Sequence, residues 1–284
     1  MSVFEILLPA FVAGLVVTGM LSYLGVHVVE RGVIFVDLSL AQIAALGTTV
    51  GVLAGYDVHS SMGYVFSLGF ALCGAAVFAL SRVHRSTRIP QEAIIGIAYA
   101  VAAAASILTM SKVTGETEHL KEMLVGNILS VSWRELARTA GLFAIVGIFH
   151  FALRRKFLLI SLDEPEAERR GLSVRLWDFL FYGSFGLVVT LAVPIAGVLL
   201  VFSYLIVPSV AAMLYADSIG KRLAIGWSMG TIVSALGVFL SLKLDLPTGA
   251  TIVCTFGLVL IIMAAVRPLL KKKIAPLKPE MVRQ

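Results

Sequence analysis

Cysteine is almost absent from this chain: Cys73 and Cys254 are the only two. No disulfide framework or CxxC metal motif can be built from one pair set in separate apolar stretches. Both read as small buried packing residues. Charge is scarce too, at 14% of 284 residues against 59% hydrophobic, where soluble domains carry roughly a quarter charged. A soluble core of that composition would need an implausibly large interior, so the bilayer is the better solvent. No GxxxxGK[ST] stretch occurs, which excludes a chain that itself hydrolyses ATP in a P-loop. No serine or cysteine nucleophile signature with its base is present, and no HExxH, HxxxH or paired carboxylates lie within a span. An enzyme is therefore disfavoured.

Apolar stretches of spanning length recur from end to end. Nine are expected, at 4–26, 33–54, 62–81, 93–111, 136–153, 176–193, 196–215, 223–242 and 250–268. The sixth and seventh run together apart from Pro194 and Gly197, so the count is eight if that break is ignored. The fold class is all-α, a polytopic membrane helix bundle in a single permease-like domain over 1–270, with a basic tail at 271–284. The first apolar run is too long for the h-region of a signal peptide, and 1–5 carries no Lys or Arg, so it reads as a retained span.

The net charge of +6 lies in loops rather than on a nucleic-acid groove. Arg82, Arg85 and Arg88 share one short loop. Arg154, Arg155, Lys156, Arg169, Arg170 and Arg175 share another, and Lys271, Lys272, Lys273, Lys278 and Arg283 mark the tail. Basic loops face the cytoplasm, which places the N-terminus outside, the C-terminus inside, and the protein in a bacterial cytoplasmic membrane among lipid. The 26–32 linker joins the first two spans on the inner side.

Local signals are strongest in the cytoplasmic loop at 155–175. Residues 163–171 read as a short helix: Asp163 caps it, Glu166 completes a capping box, and Pro165 sits in the first turn. Arg169 and Arg170 close it, and Gly171 suits a left-handed terminus. Two turns are marginal alone in water. Either a cytoplasmic partner packs on this helix or it is an ordinary capped loop.

Polar groups within spans point to a transport path. Ser39, Gln42 and Thr49 project within about 80° of one another on a helix, offering neutral oxygens to a passing solute. Asp37 points away from that stripe, and lies about 9 Å along a helix from Arg31. It is the only acid well inside a span. His150, near the inner end of the fifth span, reads as structural. Glu116, Glu118 and His119 form a solvated outer cluster, within a linker whose 120–131 stretch is apolar enough to lie in the interface. Gly47, Gly51 and Gly55, and Gly226 with Gly230, have the spacing that lets helices approach closely.

Over nearly its whole length the chain resembles the permeases of zinc/manganese/iron-type ABC importers. The segments that carry the resemblance come in the family's order: Glu92-Ala93-Ile94-Ile95-Gly96-Ile97; Leu124-Val125-Gly126-Asn127-Ile128-Leu129-Ser130-Val131-Ser132; Asp163, Ala167 and Gly171; Gly197-Val198-Leu199-Leu200 with Leu205-Ile206-Val207-Pro208; and Asp245-Leu246-Pro247-Thr248-Gly249. The resemblance implies two copies of this chain, two cytoplasmic ABC ATPases and an extracytoplasmic metal-binding protein. It implies that Asp163, Glu166, Ala167 and Gly171 belong to the ATPase docking loop, and that a divalent metal is cargo, with ATP used by the partner and no cofactor bound here. One departure stands out. Where the family's second helix carries Asp, Ser and His, this chain has Leu38, Ala41 and Gln42, so the metal ligands are not carried over. An ABC permease for a non-metal solute, or a secondary transporter, remains the alternative.

Overall fold

The computed structural model describes residues 3–57, 60–82, 89–111, 128 and 131–273, with side chains described from Leu8 to Leu269. Among the described residues eleven helices follow one another: α1 Val3–Arg31, α2 Val36–Leu53, α3 Ser61–Leu80, α4 Gln91–Met110, α5 Trp133–Ala152, α6 Arg154–Leu162, α7 Glu164–Arg169, α8 Val174–Ala196, α9 Val198–Tyr215, α10 Ile219–Leu244 and α11 Thr248–Lys273. Among the described residues nine are long and apolar enough to cross a membrane, all but α6 and α7. The nine-span reading holds, and its boundaries shift. α1 continues to Arg31 instead of stopping at 26, and the connection to α2 shrinks to a turn through Gly32. α8 carries Pro194 inside its last turn and ends at Gly197, the one break before α9.

Two groups of helices make the bundle. In one, α2 packs on α3 and α4, and α3 on α8; in the other, α1 lies against α9 and α10, and α11 covers α9 and α10. α8 touches α2 and α9, which joins the groups. Small residues set the close approaches. A Cβ at Gly25 would stand 1.9 Å from the Leu205 carbonyl oxygen, so α1 can lie on α9 only with hydrogen there. At Gly47 a Cβ would stand 2.5 Å from the Phe66 carbonyl oxygen, so the glycine spacing on α2 serves α3 in the same chain.

Caps explain where several helices start. Ser60 accepts from the Gly63 N–H at 3.0 Å, and Ser132 with Glu135 forms a reciprocal capping box. The outward faces remain apolar: Ile97, Val101, Ile107 and Leu108 of α4 are all more than half exposed, as suits a surface solvated by lipid. Cys73 and Cys254 are on such faces and are exposed. Their expected burial is therefore corrected: each points out of its helix pair, where packing makes no demand on it.

Candidate functional site: a short helix tied to the span ends

The six-residue α7 forms as its sequence asks at both ends. Asp163 Oδ1 accepts from the Glu166 N–H at 3.1 Å. At the other end Gly171, at φ +74°, closes a Schellman turn. The Gly171 N–H donates to the Glu168 carbonyl at 2.9 Å and the Leu172 N–H to the Ala167 carbonyl at 3.1 Å. The capping box is only half made. Glu166 turns outward and pairs with Arg169 at 2.8 Å and Arg170 at 2.7 Å, because two guanidiniums one turn on compete for its carboxylate.

Ala167 is wholly buried, but against its own chain: Ile160 of α6 and Val174 of α8, with Leu159, Leu172 and Trp177 packed around them. The hydrophobic anchor of α7 thus lies inside the bundle. What faces outward is Arg169 and Arg170, with side chains 72% and 65% exposed. α6 was not foreseen. Its Arg-Arg-Lys start reads as loop, yet at helical spacing Phe157 is buried against rings of α5 and α8, Ile160 against Ala167 and Val174, and Ser161 against His27 and Arg31 of α1.

A line of buried charge runs from α7 into the bundle. Glu164 receives Arg82 at 2.8 and 3.1 Å. Arg82, just beyond α3, also pairs with Asp178 of α8. Asp178 Oδ1 takes Arg31 of α1 at 2.6 Å, and neither side chain is more than 3% exposed. Arg31 donates through Nε to Ser161 of α6 at 2.9 Å and lies 4.1 Å above the Phe181 ring. Arg222, at the start of α10, pairs with Glu30. The ends of α1 and α3 and the starts of α8 and α10 therefore share one side of the bundle with α7.

Asp178 corrects the reading that Asp37 is the only acid well inside a span, since it is completely buried in α8. It was missed because it is two residues from a predicted boundary and its partners are far away in sequence. A signal did exist: Tyr23, His27 and Arg31 fall at i, i+4 and i+8 on α1, a polar stripe on one face.

The α2 residues are placed as follows. Ser39 Oγ donates to the Ile95 carbonyl of α4 at 3.1 Å, and Gln42 Nε2 lies 3.5 Å from Ser106 Oγ of the same helix. Thr49 Oγ1 donates to its own Leu46 carbonyl at 2.8 Å. Ser39 and Gln42 thus share the α4 side, while Thr49 is occupied within α2. Asp37, 1% exposed in the first turn, leaves Oδ1 without a hydrogen-bond partner. It does not meet Arg31, which ends the preceding helix and goes to Asp178. Glu92, at the start of α4, accepts from the Phe35 N–H at 2.9 Å. Among the described residues no three His, Cys, Asp or Glu side chains gather closely enough to hold a metal ion. Glu116, Glu118, His119, Arg85, Arg88, most of the 124–130 segment and the tail beyond 273 lie outside the described residues.

Comparison with known proteins bears on this arrangement. The family model for the ABC 3 transport family matches residues 3–267. The manganese import system permease protein ScaB of Streptococcus parasanguinis is 28% identical over 222 residues, 78% of this chain and 79% of that protein. The chelated iron transport system membrane protein YfeD of Yersinia pestis is 26% identical over 265 residues, 89% and 88% of the two chains. Among solved structures, PsaBC from Streptococcus pneumoniae in complex with Fab shares the fold, with a TM-score of 0.78 at 24% identity, covering 95% of this chain and 96% of that one.

Proposed function

Because the chain belongs to the ABC 3 transport family, we propose that it is the membrane-spanning permease of an ATP-driven importer that carries divalent metal ions into the cell. Relatives named for manganese and for chelated iron support that class of cargo, with zinc the third member that the sequence resemblance implies. The working assembly contains a second copy of this chain, cytoplasmic ATPases and an extracytoplasmic metal-binding protein. The side holding α7 faces the cytoplasm, which puts the N-terminus outside and the C-terminus inside.

The observation that carries this reading is the construction of α7. Its apolar side is seated on α6 and α8, its Glu164 end is tied to α3, α8 and α1 through Arg82, Asp178 and Arg31, and its Arg169 and Arg170 are left outward. A helix so mounted can receive a partner on its outer face and pass displacement to three span ends at once. Asp163 and Gly171 fix its length, Ala167 its seat, and Glu166 the pose of the two arginines. Asp178 is held between two guanidiniums, an arrangement for a fixed ion bridge rather than for carrying protons. That favours ATP coupling over a secondary transporter.

On the α2 side the path is poor in strong ligands. Hydroxyl and amide oxygens hold a divalent ion weakly compared with imidazole or carboxylate. Ser39, Gln42 and Thr49 thus form a passage rather than a store, and selectivity resides mainly in the binding protein. The test is co-purification. Arg169→Glu with Arg170→Glu should leave the permease inserted and monodisperse but strip the ATPase from it. Full ATPase retention in that double variant would remove α7 from the interface.

A further inference from the structure

Beside the charged line lies a cluster of buried rings that the transport reading does not use. Tyr23 stands edge-on to two imidazoles, with ring centroids 4.9 Å from His27 and 5.5 Å from His150. Phe181 lies 5.7 and 6.0 Å from the same two rings. Both histidines are 1% exposed. They therefore belong to one buried ring cluster between α1, α5 and α8.

Each imidazole is anchored through one nitrogen. His27 Nδ1 is 2.8 Å from Ser161 Oγ, and His150 Nε2 is 2.8 Å from Ser184 Oγ. The other nitrogens, His27 Nε2 and His150 Nδ1, have no hydrogen-bond partner, and neither has Tyr23 Oη. The serine protons decide what those nitrogens carry. Ser161 accepts from Arg31 Nε at 2.9 Å and lies 2.9 Å from the Phe157 carbonyl, to which its single proton goes. His27 must then donate through Nδ1. The reverse arrangement would strand an N–H in the interior, the rarer kind of orphan. Ser184 likewise gives its proton to the Leu180 carbonyl at 2.8 Å, so His150 donates through Nε2. A neutral imidazole has one N–H. His27 Nε2 and His150 Nδ1 are both left as bare lone pairs.

Two buried lone pairs cannot satisfy each other, and the Tyr23 hydroxyl, itself unpartnered, serves neither of them. A histidine pinned through one nitrogen with the other bare is how proteins present metal ligands. We propose that His27 Nε2, His150 Nδ1 and Tyr23 Oη form a binding site for a borderline transition-metal dication, separate from the α2 path. Imidazole favours ions of the zinc, copper, nickel and cobalt kind over hard ions. The nearby Arg31 charge is offset by Asp178 at 2.6 Å. His150 is then a ligand, not the structural residue its position suggests. The inference stands whether or not the chain is an importer, because it concerns retained metal and not uptake.

The full-length chain in lipid nanodiscs, stripped with a chelator and titrated with cobalt(II), tests it. One cobalt per chain is expected, with the visible bands of a low-coordinate nitrogen-ligated ion. His27→Phe and His150→Phe, which keep ring volume, should each abolish those bands. Ser184→Ala, which removes an anchor and leaves both imidazoles in place, should weaken binding by about 10–100-fold in a chain that still folds, and so decides the matter if a histidine variant does not fold. Gln42→Ala should bind cobalt as the parent does. No stoichiometric cobalt in the parent, bands that survive both histidine changes, or bands lost with Gln42→Ala instead would each overturn the proposal.

Discussion

Asp178→Leu should be the most damaging single change at the inner end of the bundle. The carboxylate is completely buried and bridges Arg31, itself 3% exposed, to Arg82, which is 13% exposed. Removing it leaves the Arg31 guanidinium with no carboxylate in a water-poor setting. Breaking a buried pair from one side costs about 3–5 kcal/mol. The figure applies chiefly to Arg31, because Arg82 keeps Glu164 at 2.8 Å and is nearer water. The same reasoning predicts a rescue. Arg31→Met combined with Asp178→Leu removes both charges and keeps an apolar chain near Phe181, where Arg31 now stacks at 4.1 Å, so most of the loss should return. The assay is thermal unfolding of the purified permease in one detergent, the two singles and the double measured together. If the single variant melts with the parent, or the double falls as far as the sum of the singles, Asp178 is not a buried bridge and the coupling path through it fails.

Other expectations follow from particular contacts. Gly25→Ala places a methyl 1.9 Å from the Leu205 carbonyl, so α1 and α9 must separate; a loss of about 1–3 kcal/mol or more should appear as a lower melting temperature, and unchanged melting would contradict the packing. Ala167→Arg should destabilise the permease itself, since the residue is sealed between α6 and α8, and protease should cleave near 160–175 even without ATPase; cleavage identical to the parent's would place Ala167 on the outer face. Gln42→Ala should lower radiometal uptake only modestly and Gln42→Leu much more, by drying the α4-facing passage. Uptake abolished by Gln42→Ala in an intact complex would make it an essential ligand.

Much of this could be read from local pattern, and what could not depends on distance along the chain. The nine spans follow from apolar run length, and Asp163 and Gly171 sit where a cap and a left-handed terminus are needed, so the bounds of α7 were legible. The partners of Glu166 were not, because a capping box and a salt bridge to Arg169 and Arg170 are equally local and only side-chain geometry separates them. α6 was hidden by its basic start, which looks like loop until rings of α5 and α8 close over Phe157. The direction of Ala167 was illegible for a related reason: two turns of helix do not say which face meets its own chain. Asp178 and Arg31 are 147 residues apart, and no periodicity joins them. At the α2 stripe the helix angle correctly put Ser39 and Gln42 on one side, and the structure supplied α4 as their neighbour.

Release of radiolabelled manganese from the lumen of inside-out proteoliposomes, the counterpart of import into a cell, tests the central claim most directly. The chain is reconstituted with the ATPase and metal-binding protein of the proposed assembly, the ATPase facing the accessible side and the metal-loaded binding protein enclosed. The account predicts manganese leaving the lumen towards the ATPase side only with hydrolysable ATP, and stopping when Arg169→Glu and Arg170→Glu release the ATPase. Movement that proceeds without ATP, follows an imposed proton gradient, or persists after the ATPase is lost would contradict it.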